Sequence, residues 1–212
     1  QARAALQPLR QQGHEVIVVD AGDDDTARLA TPLADRVLRA PRGRARQMNR
    51  GAEVATGELL LFLHADTRLP PSAADAIASG LARTGRCWGR FDVRLSGRQA
   101  LLRVVERLMN WRSRLTGIAT GDQAIFARRA AFEAAGGFPA IPLMEDIALT
   151  KALKRLGPPL CLRERAVTSG RRWERHGTLA TIVLMWRLRL AYFLGADPAR
   201  LAKRYGNGRA PS

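Results

Sequence analysis

Two short stretches of the chain are apolar without interruption, Val16-Ile17-Val18-Val19 after Glu15 and Leu59-Leu60-Leu61-Phe62-Leu63 after Glu58. A run of four or five apolar side chains with no polar alternation predicts a strand buried on both faces, as in a parallel sheet covered by helices. Around these runs the pattern changes to helical spacing. Ala2–Gln12 places Leu6 and Leu9 on one face and stops at Gly13, and further helices are predicted over Thr26–Leu33, Gly43–Ala55, Pro70–Arg83, Ala100–Leu115, Arg129–Ala135 and Glu145–Leu156. Trp88–Leu95 alternates as a half-buried strand does, and shorter strands are predicted at Arg36–Leu38, Gln123–Phe126, Leu160–Arg163 and Ala166–Ser169.

Strands alternating with helices predict an α/β fold built on a doubly wound, mostly parallel sheet, with ligands at the C-terminal ends of the strands. Neither a repeat nor a linker divides the chain, so residues 1–212 are read as one domain, a core over 1–175 and a helical segment over 176–212. The chain opens at Gln1 with a helix feeding a buried strand. The expectation is that an N-terminal piece carrying one central strand precedes it.

Charge alters the picture more than composition does. Lys and Arg number 35 against 19 Asp and Glu, a formal net charge of +16 supplied almost wholly by arginine. Such a field draws polyanions: nucleic acid, anionic membrane or phosphorylated small molecules. With aromatic residues at only 6%, the stacking ladder of single-strand binders is lacking, and nucleic acid is not the expected partner. Cys87 and Cys161 stand in apolar surroundings without a CxxC pair, and with three histidines they assemble no structural zinc site. Two buried thiols in a reducing cytoplasm are expected. No apolar run reaches the roughly 20 residues of a spanning helix.

Four stretches carry candidate chemistry. Asp20, Gly22 and Asp23-Asp24-Asp25 follow the first strand, where they suit hydrogen bonding to a nucleoside, or a solvated turn in which Asp25 or Thr26 caps the next helix. His64-Ala65-Asp66 follows the second strand, and a carboxylate there suits Mg²⁺ or Mn²⁺ shared with a diphosphate better than it suits a plain turn. Glu145-Asp146 opens a helix after Gly136-Gly137-Phe138. Acids in a first turn complement the helix dipole, and on local evidence that reading outweighs Asp146 as a general base. Arg171-Arg172-Trp173-Glu174-Arg175-His176 joins diphosphate-binding guanidinium groups to an aromatic wall for a sugar ring, or is a solvated basic loop.

In order and spacing these pieces resemble the family 2 glycosyltransferases of GT-A fold. The resemblance rests on Val16–Gly22 with Asp25 and Thr26, Arg46-Gln47-Met48-Asn49-Arg50-Gly51-Ala52, Leu61–Asp66, Gly121-Asp122-Gln123 leading to Phe126, Gly136-Gly137-Phe138, and Glu145-Asp146. It is nearest to small bacterial members with His-Ala-Asp in place of Asp-x-Asp.

The resemblance implies inverting transfer of a sugar from a UDP- or GDP-linked donor to an acceptor hydroxyl. In it Asp20, Gly22, Asp25, Arg46, Asn49, Ala65 and Asp66 hold the donor, Asp66 with His64 meets the metal, and Asp146 is the base. Gly121, Asp122, Gln123, Glu145, Arg171, Arg172 and Trp173 border the acceptor or diphosphate. Arg172-Trp173 is similar to the end of the Gln-x-x-Arg-Trp motif of processive members, but Ser169 stands where its Gln would be. A nucleotidyltransferase on a related fold and a non-catalytic polyanion-binding domain are the alternatives.

Residues 178–194 are apolar and aromatic with Arg187 and Arg189 among them. They suit a helix on the core or on a second copy of the chain, and also an interfacial helix beside a lipid-linked acceptor at the inner face of a membrane.

Overall fold

The structure is a computed structural model that describes residues 2–22 and 24–207. In chain order it contains α1 (Ala2–Gln11), β1 (Ile17–Asp20), α2 (Thr26–Ala30), β2 (Arg36–Arg39), α3 (Arg44–Val54), β3 (Leu59–Leu61), α4 (Ala73–Thr84) and β4 (Trp88–Leu95). There follow α5 (Ala100–Thr116), β5 (Phe126–Arg128), α6 (Arg129–Ala134), α7 (Glu145–Leu156), β6 (Leu160–Thr168), α8 (Arg171–His176), α9 (Thr178–Phe193) and α10 (Pro198–Asn207). Single 3₁₀ turns occupy Thr31–Leu33 and Gly121–Gln123.

The two apolar runs do become strands, but in different sheets. β1 pairs parallel with β2, and the other four strands are ordered β3-β5-β4-β6. β4 and β6 are parallel, whereas β5 runs antiparallel to both of its neighbours. The expectation of a mostly parallel sheet therefore holds except at β5. Side chains alternate across the four-stranded sheet. Leu60, Trp88 and Ala127 face α3, α6 and α7, while Leu61, Phe91 and Phe126 face α4.

Two boundaries differ from expectation. The strand placed at Gln123–Phe126 starts only at Phe126, because Gly121–Gln123 is a 3₁₀ turn and Ala124 has a left-handed φ of 47°. The two strands expected at Leu160–Arg163 and Ala166–Ser169 are one, β6, whose parallel ladder with β4 is interrupted by a bulge between Cys161 and Arg165 and resumes through Thr168. Cys87 and Cys161 are free and half-buried rather than fully enclosed.

β5 pairs with β4 only at Trp88 and Gly89, which leaves the upper half of β4 without a strand on that side. Buried backbone groups need partners, and α5 supplies them. The Asn110 side chain accepts from the Val93 N–H (2.8 Å) and donates to the Val93 carbonyl (3.1 Å), and a Glu106 oxygen accepts from the Leu95 N–H. The same helix exposes an apolar stripe at Leu101, Val104, Leu108, Trp111 and Leu115. α9 contacts α5 and exposes a second stripe at Leu179, Val183, Trp186, Leu190 and Phe193, while its Leu188 is buried with Leu201 of α10 against Leu143, Met144 and Ile147. The C-terminal segment thus packs on the core and still presents an apolar face.

Gly89 lies where β4, β5 and β6 press together. A Cβ there would sit 2.3 Å from the Leu160 carbonyl oxygen and 2.5 Å from Phe126, whereas one at Gly206 in α10 would meet nothing. Gly89→Ala is expected to lower stability by about 1–3 kcal/mol, and Gly206→Ala to leave it unchanged or raise it by up to about 1 kcal/mol. Denaturant midpoints of the two variants check this.

Candidate active site

Three strands, β3, β4 and β6, point one way, and β5, which runs against them, starts beside the end of β3 and is preceded by residues that continue toward the ends of β4 and β6. The side chains that follow Leu61, Leu95 and Thr168 therefore gather with those that precede Phe126. There they line a pocket of about 280 Å³. His64 and Asp66 come from the end of β3, Gly121 and Asp122 from the 3₁₀ turn, and Asp146 from the start of α7. Ser169 and Trp173 close one side, with Arg44, Arg189 and Tyr205 arriving from α3, α9 and α10.

The turn carrying His64 is pinned at both ends. Before it, the Phe62 N–H donates to the Ile125 carbonyl at 2.9 Å, extending the β3–β5 ladder. After it, buried Thr67 hydrogen-bonds Thr168 at 2.9 Å, and Arg68 exchanges two backbone hydrogen bonds with Val167. The imidazole faces Asp122, its Nδ1 3.7 Å from the carboxylate. Desolvation works against a charged ring, but the Asp122 carboxylate outweighs it and raises the His64 pKa. Desolvation likewise opposes ionised Asp122, and His64 outweighs it, holding that carboxyl below its ordinary range. The other edge of the imidazole lies over Gly121, where a Cβ would stand 2.4 Å from its Cε1 and Nε2. Only glycine admits this approach.

Asp146 is fixed by two backbone donors, the Gly121 N–H at 2.9 Å and the Ile147 N–H at 2.7 Å. One hydrogen bond on each oxygen leaves lone pairs free for a proton or a ligand. The preceding Met144 holds a left-handed φ of 71°, a conformation that L side chains pay for and that clusters at functional sites. Glu145 turns inward, buried, with Oε1 2.7 Å from Arg44 Nε and Oε2 without a partner. Desolvation and the neighbouring Asp146 charge raise its pKa despite Arg44.

The expected site residues divide into groups. His64, Asp66, Gly121, Asp122, Asp146 and Trp173 share the pocket. Gln123 and Glu145 lie beneath it, Gln123 fully buried with its Oε1 accepting from the Thr120 N–H. Ala65 is exposed beside it, and Arg171 is exposed with Nε 3.0 Å from Ser169 Oγ. The side chain of Arg172 lies outside the described residues. Arg46 and Asn49 border a separate open groove with Arg39 and Arg50. Asn49 spends its amide on the Phe138 backbone, donating at 2.8 Å and accepting at 2.9 Å, and so ties α3 to the Gly136-Gly137 loop. Asp20 is buried at the end of β1, accepting from the Gly22 N–H while its Oδ2 has no partner. Asp25 is the N-cap residue of α2, as one reading expected, but its side chain makes no capping bond; Asp24 Oδ1 instead accepts from the Thr26 N–H.

Arg44, Arg189 and Tyr205 were not singled out from sequence as site residues. For Arg189 a signal did exist, a charge between Leu188 and Leu190 in an otherwise apolar helix.

Among the described residues, no three His, Cys, Asp or Glu side chains gather closely enough to hold a metal ion by themselves. Asp66, exposed at the pocket rim, fits the other mode of Mg²⁺ and Mn²⁺ binding, in which one or two carboxylates share the ion with substrate phosphates.

The profile of glycosyl transferase family 2 matches residues 2–134, well over half of the chain. The chain belongs to that family. Its fold is that of the GT-A glycosyltransferases. It is similar to S. aureus TarS 1–349 in complex with UDP (TM-score 0.61, 18% identity, 79% of this chain and 56% of that one). It is also similar to the mannosyltransferase PcManGT from Pyrobaculum calidifontis in complex with GDP-Man and Mn²⁺ (TM-score 0.55, 25% identity, 93% and 56%). A third likeness is to glucosyl-3-phosphoglycerate synthase from Mycobacterium tuberculosis with Mn²⁺ and UDP-Glc (TM-score 0.51, 15% identity, 79% and 66%). The chain thus spans a little over half the length of the first two. No curated protein sequence matches it.

The Arg44–Glu145 pair gives a direct test of the site's electrostatics. Arg44→Met strands a buried carboxyl and is expected to cost about 1–3 kcal/mol. The folded Glu145 pKa then rises further above its unfolded value, so the penalty is largest at neutral pH and shrinks as acid protonates the group. Denaturant melts at neutral and mildly acid pH check both parts.

Proposed function

We propose that the transferase moves a sugar with inversion from a nucleoside diphosphate donor to an acceptor hydroxyl in the 280 Å³ pocket. The observation that carries this reading is that Asp66 and Asp146 line one pocket, together with the His64–Asp122 pair. Asp66 would hold a Mg²⁺ or Mn²⁺ ion, which when bound neutralises the charge on the departing diphosphate. His64, committed to Asp122 and Gly121, braces the turn that presents Asp66. Asp146, oriented by two N–H groups, takes the acceptor proton as the hydroxyl attacks the anomeric carbon from the face opposite the leaving group. No covalent enzyme intermediate is required. Trp173 walls the pocket where a sugar ring would lie. The mannosyltransferase bound to GDP-Man and Mn²⁺ supports the donor class and the metal.

Calorimetric titration with UDP and GDP, each with and without Mn²⁺, tests the donor half. One nucleotide is expected to bind in a metal-dependent way that Asp66→Asn abolishes, and equal binding by the variant contradicts the assignment. Asp146→Asn is expected to keep nucleotide binding and to lose sugar transfer by about 10²–10⁴-fold.

We further propose that the stripes of α5 and α9 rest on an anionic bilayer, beside which a lipid-linked acceptor would reach the pocket. Large exposed apolar faces mark interaction surfaces, and Trp111 and Trp186 are 62% and 66% exposed within this one. A charge of +16 favours an anionic surface and opposes a second like-charged copy. No helix among the described residues is long and apolar enough to cross a membrane. The protein is expected to sediment with phosphatidylglycerol vesicles but not phosphatidylcholine vesicles, and a Trp111→Glu/Trp186→Glu double variant to stay in solution. A stable dimer broken by the same variant, without vesicle binding, would assign the face to a second copy.

A further inference from the structure

The pocket has two faces of unlike chemistry, and Asp146 stands where they meet. One face carries Arg44, His64, Asp66 and Asp122, with His64 paired to Asp122 and Arg44 to Glu145. The other carries Leu143, Met144, Ile147, Met185 and Tyr205, which pack in one apolar cluster with buried Leu188 and Leu201. Asp146 is tied to the first face by the Gly121 N–H at 2.9 Å, and along the chain it is flanked by Met144 and Ile147 of the second. The two faces also differ in origin. Every residue named on the polar face falls within the family match over residues 2–134. Every one on the apolar face lies after it, in the lead-in and first turn of α7 and in α9 and α10. On α9, half-buried Met185 lines the pocket while its neighbour Trp186, 66% exposed, belongs to the outer stripe. Polar groups on this side are few. They are Arg189, one turn beyond Met185, the Tyr205 hydroxyl, and Ser169, whose Oγ accepts from Arg171 Nε at 3.0 Å.

We infer that the apolar face receives the carbon skeleton of the acceptor, which is therefore an alcohol whose hydroxyl is borne on an apolar group, not a polyol or a sugar. The inference rests on the transferase reading, which makes Asp146 the base and puts the diphosphate with Asp66. The molecule whose hydroxyl meets Asp146 is then left the other face of the pocket. Burying methylene groups there is favourable, by about fourfold in affinity for each. Hydroxyl groups pressed on Leu143, Ile147 and Met185 would instead lose water without gaining partners. The unbranched thioethers of Met144 and Met185 adapt to the shape of such a skeleton. The apolar alcohol is either a small soluble molecule or the end of a lipid reaching in from a bilayer.

The probes are 1-butanol, 1-pentanol, 1-hexanol and 1-octanol, with erythritol as the polyol control, titrated calorimetrically into the protein free and loaded with nucleotide and Mn²⁺. In the wild type, affinity is expected to rise about fourfold per methylene from butanol to hexanol, with erythritol about tenfold or more weaker than hexanol. Met185→Gln is expected to flatten the rise. Met185→Trp, which fills the space without burying a polar group, is expected to cost about tenfold in hexanol affinity while nucleotide affinity stays within about twofold. Whichever of the two melts like the wild type decides the point. The Trp111→Glu/Trp186→Glu variant is expected to keep the rise. A rise lost with the outer stripe but kept in the Met185 variants overturns the inference, as does a wild type that shows none. Hexanol that competes with the nucleotide also overturns it, since the alcohol then lies on the donor's face. If neither nucleotide binds the wild type, the transferase reading fails, while the rise in the free protein still decides whether this face takes an apolar ligand. A rise that continues to octanol marks a chain leading out to a bilayer, and one that ends at hexanol marks a small alcohol.

Discussion

The 2.9 Å hydrogen bond from the Gly121 N–H to Asp146 joins the two halves of the pocket. On one side of it, the 3₁₀ turn at Gly121 is seated by the His64 ring and by buried Gln123. On the other, α7 begins at a residue in left-handed conformation and drives Glu145 into the interior. The turn's position follows in turn from β5, which runs against its neighbours and so delivers its leading residues to the end where β3, β4 and β6 finish. A strand of three residues thus decides which side chains can meet Asp146.

Around that hydrogen bond the charges are arranged in separate pairs rather than as one network. His64 with Asp122 stabilises the ionised form of each, and Arg44 answers Glu145. Asp92, further along β4, lies between Arg90 and Arg114, where it stiffens the strand without reaching the pocket. Arg112 and Arg189 stand outside this pattern, since among the described residues neither pairs with a carboxylate.

Much of the fold was legible because its periodicities are strong. β1 and β3 are unbroken apolar runs, and α5 and α7 repeat every three to four residues. The errors have physical causes. Glu164 between Arg163 and Arg165 reads as a strand end, yet the strand runs on past a bulge at these polar residues and the ladder with β4 resumes at Arg165. Ala124 adopts positive φ with no glycine to announce it. Candidate site residues next to strand ends, His64, Asp66 and Asp122, could be found by position along the chain, whereas Asp146, in the first turn of α7, was singled out by the family resemblance. Met185 and Tyr205 could be found neither way, since only the packing of α9 and α10 brings them to the pocket. Asn49 illustrates the opposite case, a residue in a promising motif whose side chain is satisfied by the Phe138 backbone.

The most direct test of the account is a crystal structure with nucleotide and Mn²⁺ bound. It predicts the ion shared between an Asp66 oxygen and diphosphate oxygens, with Asp146 facing the space beyond the leaving group. A nucleotide lying instead in the open groove beside Arg39, Arg46 and Asn49, with Asp66 and Asp146 untouched, would contradict it.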